Sequence, residues 1–106
     1  MTPEQPKTTG EPQLTEDGRY IVIKGRRWRA TDPAIPEDVG AVLRRALMAA
    51  RRDVGKALRA NQDPRPARDR VQTAKVALGE RGTPWWEQTL EERRERWERG
   101  MHELSD

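Results

Sequence analysis

Side chains that could support acid–base or nucleophilic chemistry are few in this sequence and are poorly placed for it. The single histidine, His102, and the single serine, Ser105, both lie near the C-terminus. A serine nucleophile needs a base that a third group orients, and neither residue has such a partner in a constrained segment. The chain has no cysteine, so thiolate nucleophiles and sulfur ligands for a metal are excluded. We therefore predict a non-enzymatic protein without a cofactor or a metal site.

Acidic residues near the C-terminus could also be considered as an acid–base or metal cluster. They alternate with arginines three or four positions away, which is the spacing of ion pairs along an exposed helix. The pattern therefore favours a solvated helix surface, carrying Glu91, Glu92, Glu95 and Glu98.

Basic residues give the strongest functional signal. The chain has a net charge of +3, but residues 19–75 hold fifteen Lys or Arg against six acids, and both ends are net negative. A cationic segment of this kind indicates a surface that faces a polyanion, so we predict sequence-independent nucleic-acid binding through phosphate contacts. The predicted contacts come from a β-ribbon and from the first helix: Arg26, Arg27, Arg29, Arg44, Arg45, Arg52, Lys56 and Arg59.

A second interpretation of the arginines needs no partner. GC-rich coding sequence favours Arg, and a solvated basic helix face with some arginines paired to Asp53, Asp63 or Asp69 would show the same composition. The number of arginines alone therefore does not establish binding.

The longest uninterrupted helical periodicity covers residues 36–60. At 100° per residue, most of the basic residues fall on one side and the apolar residues on the other. The apolar side is predicted to consist of Val39, Val42, Leu43, Ala46, Leu47, Ala50, Val54, Ala57 and Leu58. A short connection leads to a second predicted helix over residues 64–79, whose apolar residues have matching spacing. Because short connections make neighbouring helices antiparallel, we predict a helical hairpin.

The segment before these helices predicts a β-hairpin over residues 19–31, with Lys24-Gly25 in its turn. A two-residue loop places Ile21 on the same face as Trp28, whereas a three-residue loop places Val22 there. Both registers predict a buried Trp28. Two strands alone are not stable in water, so we expect the β-hairpin to pack on the helical hairpin.

The C-terminal part combines an aromatic segment with a further helix. The Trp pair of residues 84–86 is expected to form an aromatic clasp that returns to the face of Trp28. Thr89 and Glu92 have the spacing of a capping box, which begins an amphipathic helix over residues 89–106. The alternative function is a protein–protein interaction or oligomerisation module, in which this helix docks on a partner through Leu90, Trp97, Met101 and Leu104.

These elements predict a mainly α fold with a small β-hairpin, of the α+β class. Residues 1–18, rich in proline and polar residues, are predicted as a disordered arm, residues 19–88 as a single small domain, and residues 89–106 as a C-terminal helix. Because the apolar content is small, a homodimer is an alternative to a monomer, with the second copy covering apolar surface that one chain leaves exposed. No apolar run approaches the roughly 20 residues of a membrane span, and no secretory signal is visible, so we predict a cytoplasmic protein without membrane contact.

Three segments together resemble a known family. They are GRRWRATDPAIPE, the MAARR of residues 48–52, and AKVALGERGTPWW. They are similar to a family of small uncharacterised bacterial proteins sometimes labelled biopolymer transporter Tol, over about residues 19–86. The resemblance implies a shared fold and no catalytic residues. A Tol channel subunit would need a membrane segment and a Tol β-propeller would need repeats, and the sequence shows neither.

Overall fold

A computed structural model describes residues 12–105, which form a three-stranded sheet followed by three helices. The mainly α fold of the α+β class is therefore confirmed. Two compact units divide the chain, one ending at Ala30 and the other beginning at Thr31. The strands are β1 (Gln13–Leu14), β2 (Tyr20–Ile23) and β3 (Arg26–Arg29), and the helices are α1 (Glu37–Arg59), α2 (Arg65–Ala77) and α3 (Leu90–Leu104), with a 3-10 turn at Trp85–Glu87.

The β-hairpin of β2 and β3 has the shorter of the two loops considered. Ile23 is opposite Arg26, so the loop consists of Lys24 and Gly25, and Ile21 is opposite Trp28. Both loop residues have positive φ, 53° and 78°, as a two-residue turn that follows the strand twist requires. Glycine adopts this conformation without steric cost, which fixes the turn at this position.

The predicted disordered arm needs a correction. Its residues 1–11 lie outside the described part of the chain, but residues 13 and 14 form β1, which pairs antiparallel with β2. The reason is a tight turn. The Asp17 carboxylate accepts hydrogen bonds from the Thr15 hydroxyl at 2.7 Å and from the Arg19 backbone N–H at 3.1 Å, and Gly18 has φ 75°. These bonds, the first above all, lower the pKa of Asp17.

The predicted burial of Trp28 is wrong, because 44% of this residue is exposed. Its ring is in contact with the guanidinium of Arg26, which lies 4.9 Å from the ring centroid on the same side of β3. A cation–π contact of this kind suits an aromatic ring that keeps access to solvent.

The helical hairpin forms as predicted, with both helices ending within two residues of the expected positions. Each helix ends in a left-handed residue, Asn61 after α1 and Gly79 after α2. The backbone N–H that follows each of these residues donates to a carbonyl five residues back, from Gln62 to Ala57 and from Glu80 to Lys75. These are the hydrogen bonds of a Schellman motif, which satisfies carbonyl groups that the helix itself leaves unpaired.

The core of the helical unit lies where the three helices meet. It is formed by buried side chains of all three: Leu43, Leu47, Ala74, Ala77, Leu78 and Trp97. The predicted capping box begins α3, with both hydrogen bonds between Thr89 and Glu92 present. Helix α3 thus belongs to the same compact unit as α1 and α2, whereas the sequence predicted it as a separate element. No helix within residues 12–105 is long and apolar enough to cross a membrane.

Candidate nucleic-acid interface

Four of the predicted phosphate contacts form a row on the outer side of α1: Arg45, Arg52, Lys56 and Arg59. On an ideal helix they fall within about 60° of one another, on the side opposite the buried Leu43. All four are exposed. At a rise of about 1.5 Å per residue, the row is about 21 Å long. We call these four residues the outer row.

Two of the three acids that could neutralise the outer row are engaged elsewhere. Asp53 pairs with Arg70 at 2.7 Å and Asp63 pairs with Arg65 at 3.1 Å, so both carboxylates bind arginines of α2. Hydrogen bonds from Arg65 lower the pKa of Asp63. Within residues 12–105, none of the four outer-row side chains takes part in an ion pair. In the described part of the chain, the outer row is therefore a set of exposed cations without a direct ion-pair partner.

Arg44 does not join the outer row, although the sequence grouped it there. Its guanidinium lies along the first turns of α1, where a methyl group on Gly40 would be 3.5 Å from it. Together with Thr31, Asp32 and Glu37, Arg44 lines a separate depression of about 370 Å³. Its position follows from helix geometry, which turns Arg44 about 100° away from Arg45.

The three arginines of the β-ribbon do not share one face. Successive residues of a strand point to opposite sides, so Arg26 lies on one face of the sheet and Arg27 and Arg29 lie on the other. Arg26 contacts the Trp28 ring, and Arg27 lies 4.3 Å from the centroid of the Tyr20 ring. The ribbon therefore divides its positive charge between the two faces of the sheet.

The predicted docking stripe of α3 is used mostly inside the chain. Trp97 is only 6% exposed, and Met101 and Leu104 pack against the same core. Leu90 is the exception, with 68% of its surface exposed. The stripe has its partner in α1 and α2, so three of its four residues are not available to a second protein in this structure.

One polar cluster was missed by the sequence analysis. Asp32, whose side chain is completely buried, accepts hydrogen bonds from two arginines of α3. Arg93 binds both carboxylate oxygens, one of them through Nε at 3.0 Å, and Arg96 binds Oδ2 through Nη2 at 2.6 Å. The backbone N–H of Ala34 adds a bond of 2.8 Å to Oδ1. We call Asp32, Arg93 and Arg96 the buried ion cluster.

Hydrogen bonding determines the ionisation of this cluster. Burial alone would raise the pKa of Asp32, but the hydrogen bonds from Arg93 and Arg96 outweigh it and hold the pKa below its ordinary value. The hydrogen bond to Asp32 likewise raises the pKa of Arg93. A carboxylate with both oxygens occupied and a lowered pKa is a poor general base, so the cluster serves the fold.

The sequence carries only a weak signal for this cluster. Asp32 stands shortly before the first helix, where an acid can serve as a helix cap, and Arg96 has ion-pair spacing to Glu92, so local patterns gave both residues other roles. Arg93 has no acid three or four positions away, so its partner had to come from elsewhere in the chain. The partners are 61 and 64 positions apart in the chain.

No group of His, Cys, Asp or Glu within residues 12–105 is arranged to hold a metal ion. Comparisons of the chain with protein-family models, with curated proteins and with solved structures found no match.

Proposed function

We propose that the protein binds nucleic acid through sequence-independent phosphate contacts made by the outer row of α1. The observation that carries the proposal is the alignment of four exposed cations on one helix face without an ion pair in the described part of the chain. A high arginine content alone does not explain this row, because other exposed arginines, such as Arg65 and Arg70, are paired with acids.

The dimensions of the row fit a nucleic-acid backbone. Phosphates on one strand of a duplex advance by about 3.4 Å along the axis, so a row of about 21 Å extends over roughly six of them. An α-helix also fits the major groove, where its outer side chains reach phosphates on the groove edges. Helix α1 contains no Asn or Gln, the side chains that pair with adenine edges. Its cations are suited to phosphate oxygens, which every sequence presents alike.

Salt dependence tests the proposal directly. We expect the anisotropy of a labelled duplex of about 20 base pairs to report binding at about 50 mM salt and a steep loss of affinity by about 200 mM. Four phosphate contacts would give a slope of about −3.6 in a plot of log K against log salt concentration. No detectable binding at the lower salt concentration would refute the proposal.

Charge reversal locates the surface. The test variant combines Arg45→Glu, Arg52→Glu and Arg59→Glu, and we expect a loss of affinity of about 100-fold or more with a slope reduced by about 2.7. The control changes the net charge equally at exposed arginines of α2 and α3, through Arg65→Glu, Arg94→Glu and Arg99→Glu. If both variants lose the same affinity, the binding depends on net charge and not on the outer row.

A further inference from the structure

A second cationic site lies in the groove between α1 and α2, turned away from the outer row. Its volume is about 560 Å³, within the range of about 300 to 1,000 Å³ that is usual for small-molecule sites. On an ideal helix Arg51 is about 100° from Arg52, so the groove and the outer row are different surfaces. The lining residues come from both helices and the following turn: Arg51, Val54, Arg68, Asp69, Val71, Gln72 and Arg81.

The groove holds more positive than negative charge. Among the described residues that line it, three are arginines, Arg51, Arg68 and Arg81, and one is acidic, Asp69. The side chain of Arg81 is held in place, because its Nη1 donates a hydrogen bond of 2.6 Å to Oε1 of Gln72. Three guanidinium groups around one groove are suited to phosphate oxygens, which they bind with paired, charge-assisted hydrogen bonds.

Lys75 lies close enough to the groove to feel the charge of two of its arginines. The pKa of Lys75 is lowered, mainly by burial; the negative charge of Glu80 opposes this shift, and the positive charges of Arg81 and Arg51 add to it.

The apolar part of the groove restricts the class of ligand further. Val54 and Val71, one from each helix, line it beside the arginines. A bare inorganic anion would leave these side chains uncovered, whereas a ligand with a flat apolar portion would bury them. We propose that this groove binds a small phosphate-bearing molecule with an apolar or aromatic part, of the size and chemistry of a nucleotide.

The first experiment compares three probes by isothermal titration calorimetry on the full chain at low salt. ATP is expected to bind saturably, tripolyphosphate at least about tenfold more weakly, and adenosine not measurably, since only ATP offers both phosphates and an apolar ring. Tripolyphosphate binding as tightly as ATP would overturn the proposal, because the valines would then contribute nothing. The absence of saturable ATP binding would overturn it as well.

The second experiment uses matched single substitutions. Arg51→Gln and Arg68→Gln should each weaken ATP binding about tenfold, because each removes one charged hydrogen-bonding group. Arg52→Gln removes the same charge from the next position on the outer side of α1 and should leave ATP affinity unchanged. An equal loss in Arg51→Gln and Arg52→Gln would show binding by general charge attraction and would contradict the site.

A third variant is expected to improve binding, which a folding defect cannot imitate. Asp69→Asn removes the one carboxylate of the groove and should tighten ATP binding severalfold. An unchanged or weaker affinity would contradict the proposed position of the phosphates. The outer-row variant distinguishes this proposal from the nucleic-acid proposal, because it should lose duplex binding and keep ATP binding.

Discussion

The substitution Asp32→Asn tests the role assigned to the buried ion cluster. Asparagine has nearly the same size as aspartate and can still accept the hydrogen bond of Ala34. It has no negative charge, however, and its NH₂ group is a donor that would face the donor groups of Arg93 and Arg96. The variant therefore removes the charge compensation of two guanidinium groups while it leaves the packing volume nearly unchanged.

The expected cost follows from the burial of the cluster. The Asp32 side chain is 0% exposed, and the side chains of Arg93 and Arg96 are 14% and 8% exposed. Removing one partner of a buried ion pair costs about 3 to 5 kcal/mol, because the remaining charge is left uncompensated. A domain of this size has a free energy of unfolding of about 5 to 10 kcal/mol. At about 4 to 8 °C per kcal/mol, we expect the melting temperature to fall by at least about 12 °C.

The pH dependence of stability provides a second measurement with a defined sign. The pKa of Asp32 in the folded protein lies below its ordinary value of 3.8. The cluster therefore contributes its full stability above about pH 4, and this contribution is lost as the pH falls through the folded pKa. The difference in stability between wild type and Asp32→Asn should be large at pH 7 and should shrink below pH 4. The lowered pKa values of Asp17 and Asp63 affect both proteins equally and cancel in this difference.

Thermal unfolding followed by circular dichroism is the assay, and Asp53→Asn is the matched control. The Asp53–Arg70 pair has both side chains 47% exposed, so the same substitution there should cost no more than about 1 kcal/mol. Similar melting temperatures for the two variants at pH 7, or a difference from wild type that does not shrink in acid, would refute the argument that burial makes the cluster important.

Two further predictions concern packing, and both are measured by urea denaturation. A Cβ atom on Gly100 would lie 2.3 Å from the Cβ of Ala77, so Gly100→Ala should destabilise the protein by about 1 to 3 kcal/mol because α3 is pushed away from α2. The control is Gly55→Ala, whose new methyl group meets only the end of an arginine side chain at 3.3 Å and which should be neutral or stabilising by up to about 1 kcal/mol. An equal loss of stability in both variants would contradict the close packing of α3 on α2. Trp97→Ala should cost about 3 to 5 kcal/mol, because this ring is only 6% exposed, and Trp28→Ala should cost clearly less at 44% exposure; equal costs would contradict these positions.

The helices could be predicted from the sequence because their signals are local. Helical periodicity, the prolines before α1 and α2, Gly79 after α2 and the capping box of Thr89 act within a few residues of each helix end. The register of the β-hairpin, which the sequence left open, depended on whether Lys24 adopts positive φ beside Gly25. A positive φ is uncommon for lysine, so the residue types in the turn could not decide between a two-residue and a three-residue loop.

The N-terminal strand was missed for a different reason. The average composition of residues 1–18 is polar and rich in proline, and it conceals the Asp17-Gly18 turn, a local signal that predicts a hairpin when strands flank it. The size of Trp28 and the scarcity of other large side chains favour burial of this ring. Arg26, two positions earlier, covers the ring instead and makes its exposure less costly.

The contacts of α3 could not be predicted at all, because they join positions that are distant in the chain. Glycine is a weak helix former, so nothing in the sequence explains why it stands at position 100 inside a helix. The close approach of Ala77 explains it, because a larger side chain would not fit there. Asp32 and its two arginine partners are likewise separated by more than sixty positions. Their pairing also holds α3 against the helical hairpin, and most of the predicted docking stripe is therefore covered inside the chain.

The positions of the arginines allow a test between two explanations of their number, a bias in the coding sequence and a functional surface. Arg96 is 8% exposed and binds a buried carboxylate, Arg51 lines the groove, and Arg52 lies in the outer row. If coding bias alone placed these residues, substituting Arg51 or Arg52 would change neither ATP nor duplex binding, while substituting Arg96 would still lower stability. If the proposals hold, each substitution changes one measurement: Arg96→Gln changes stability, Arg51→Gln changes ATP affinity, and Arg52→Gln changes the salt slope for duplex binding by about 0.9.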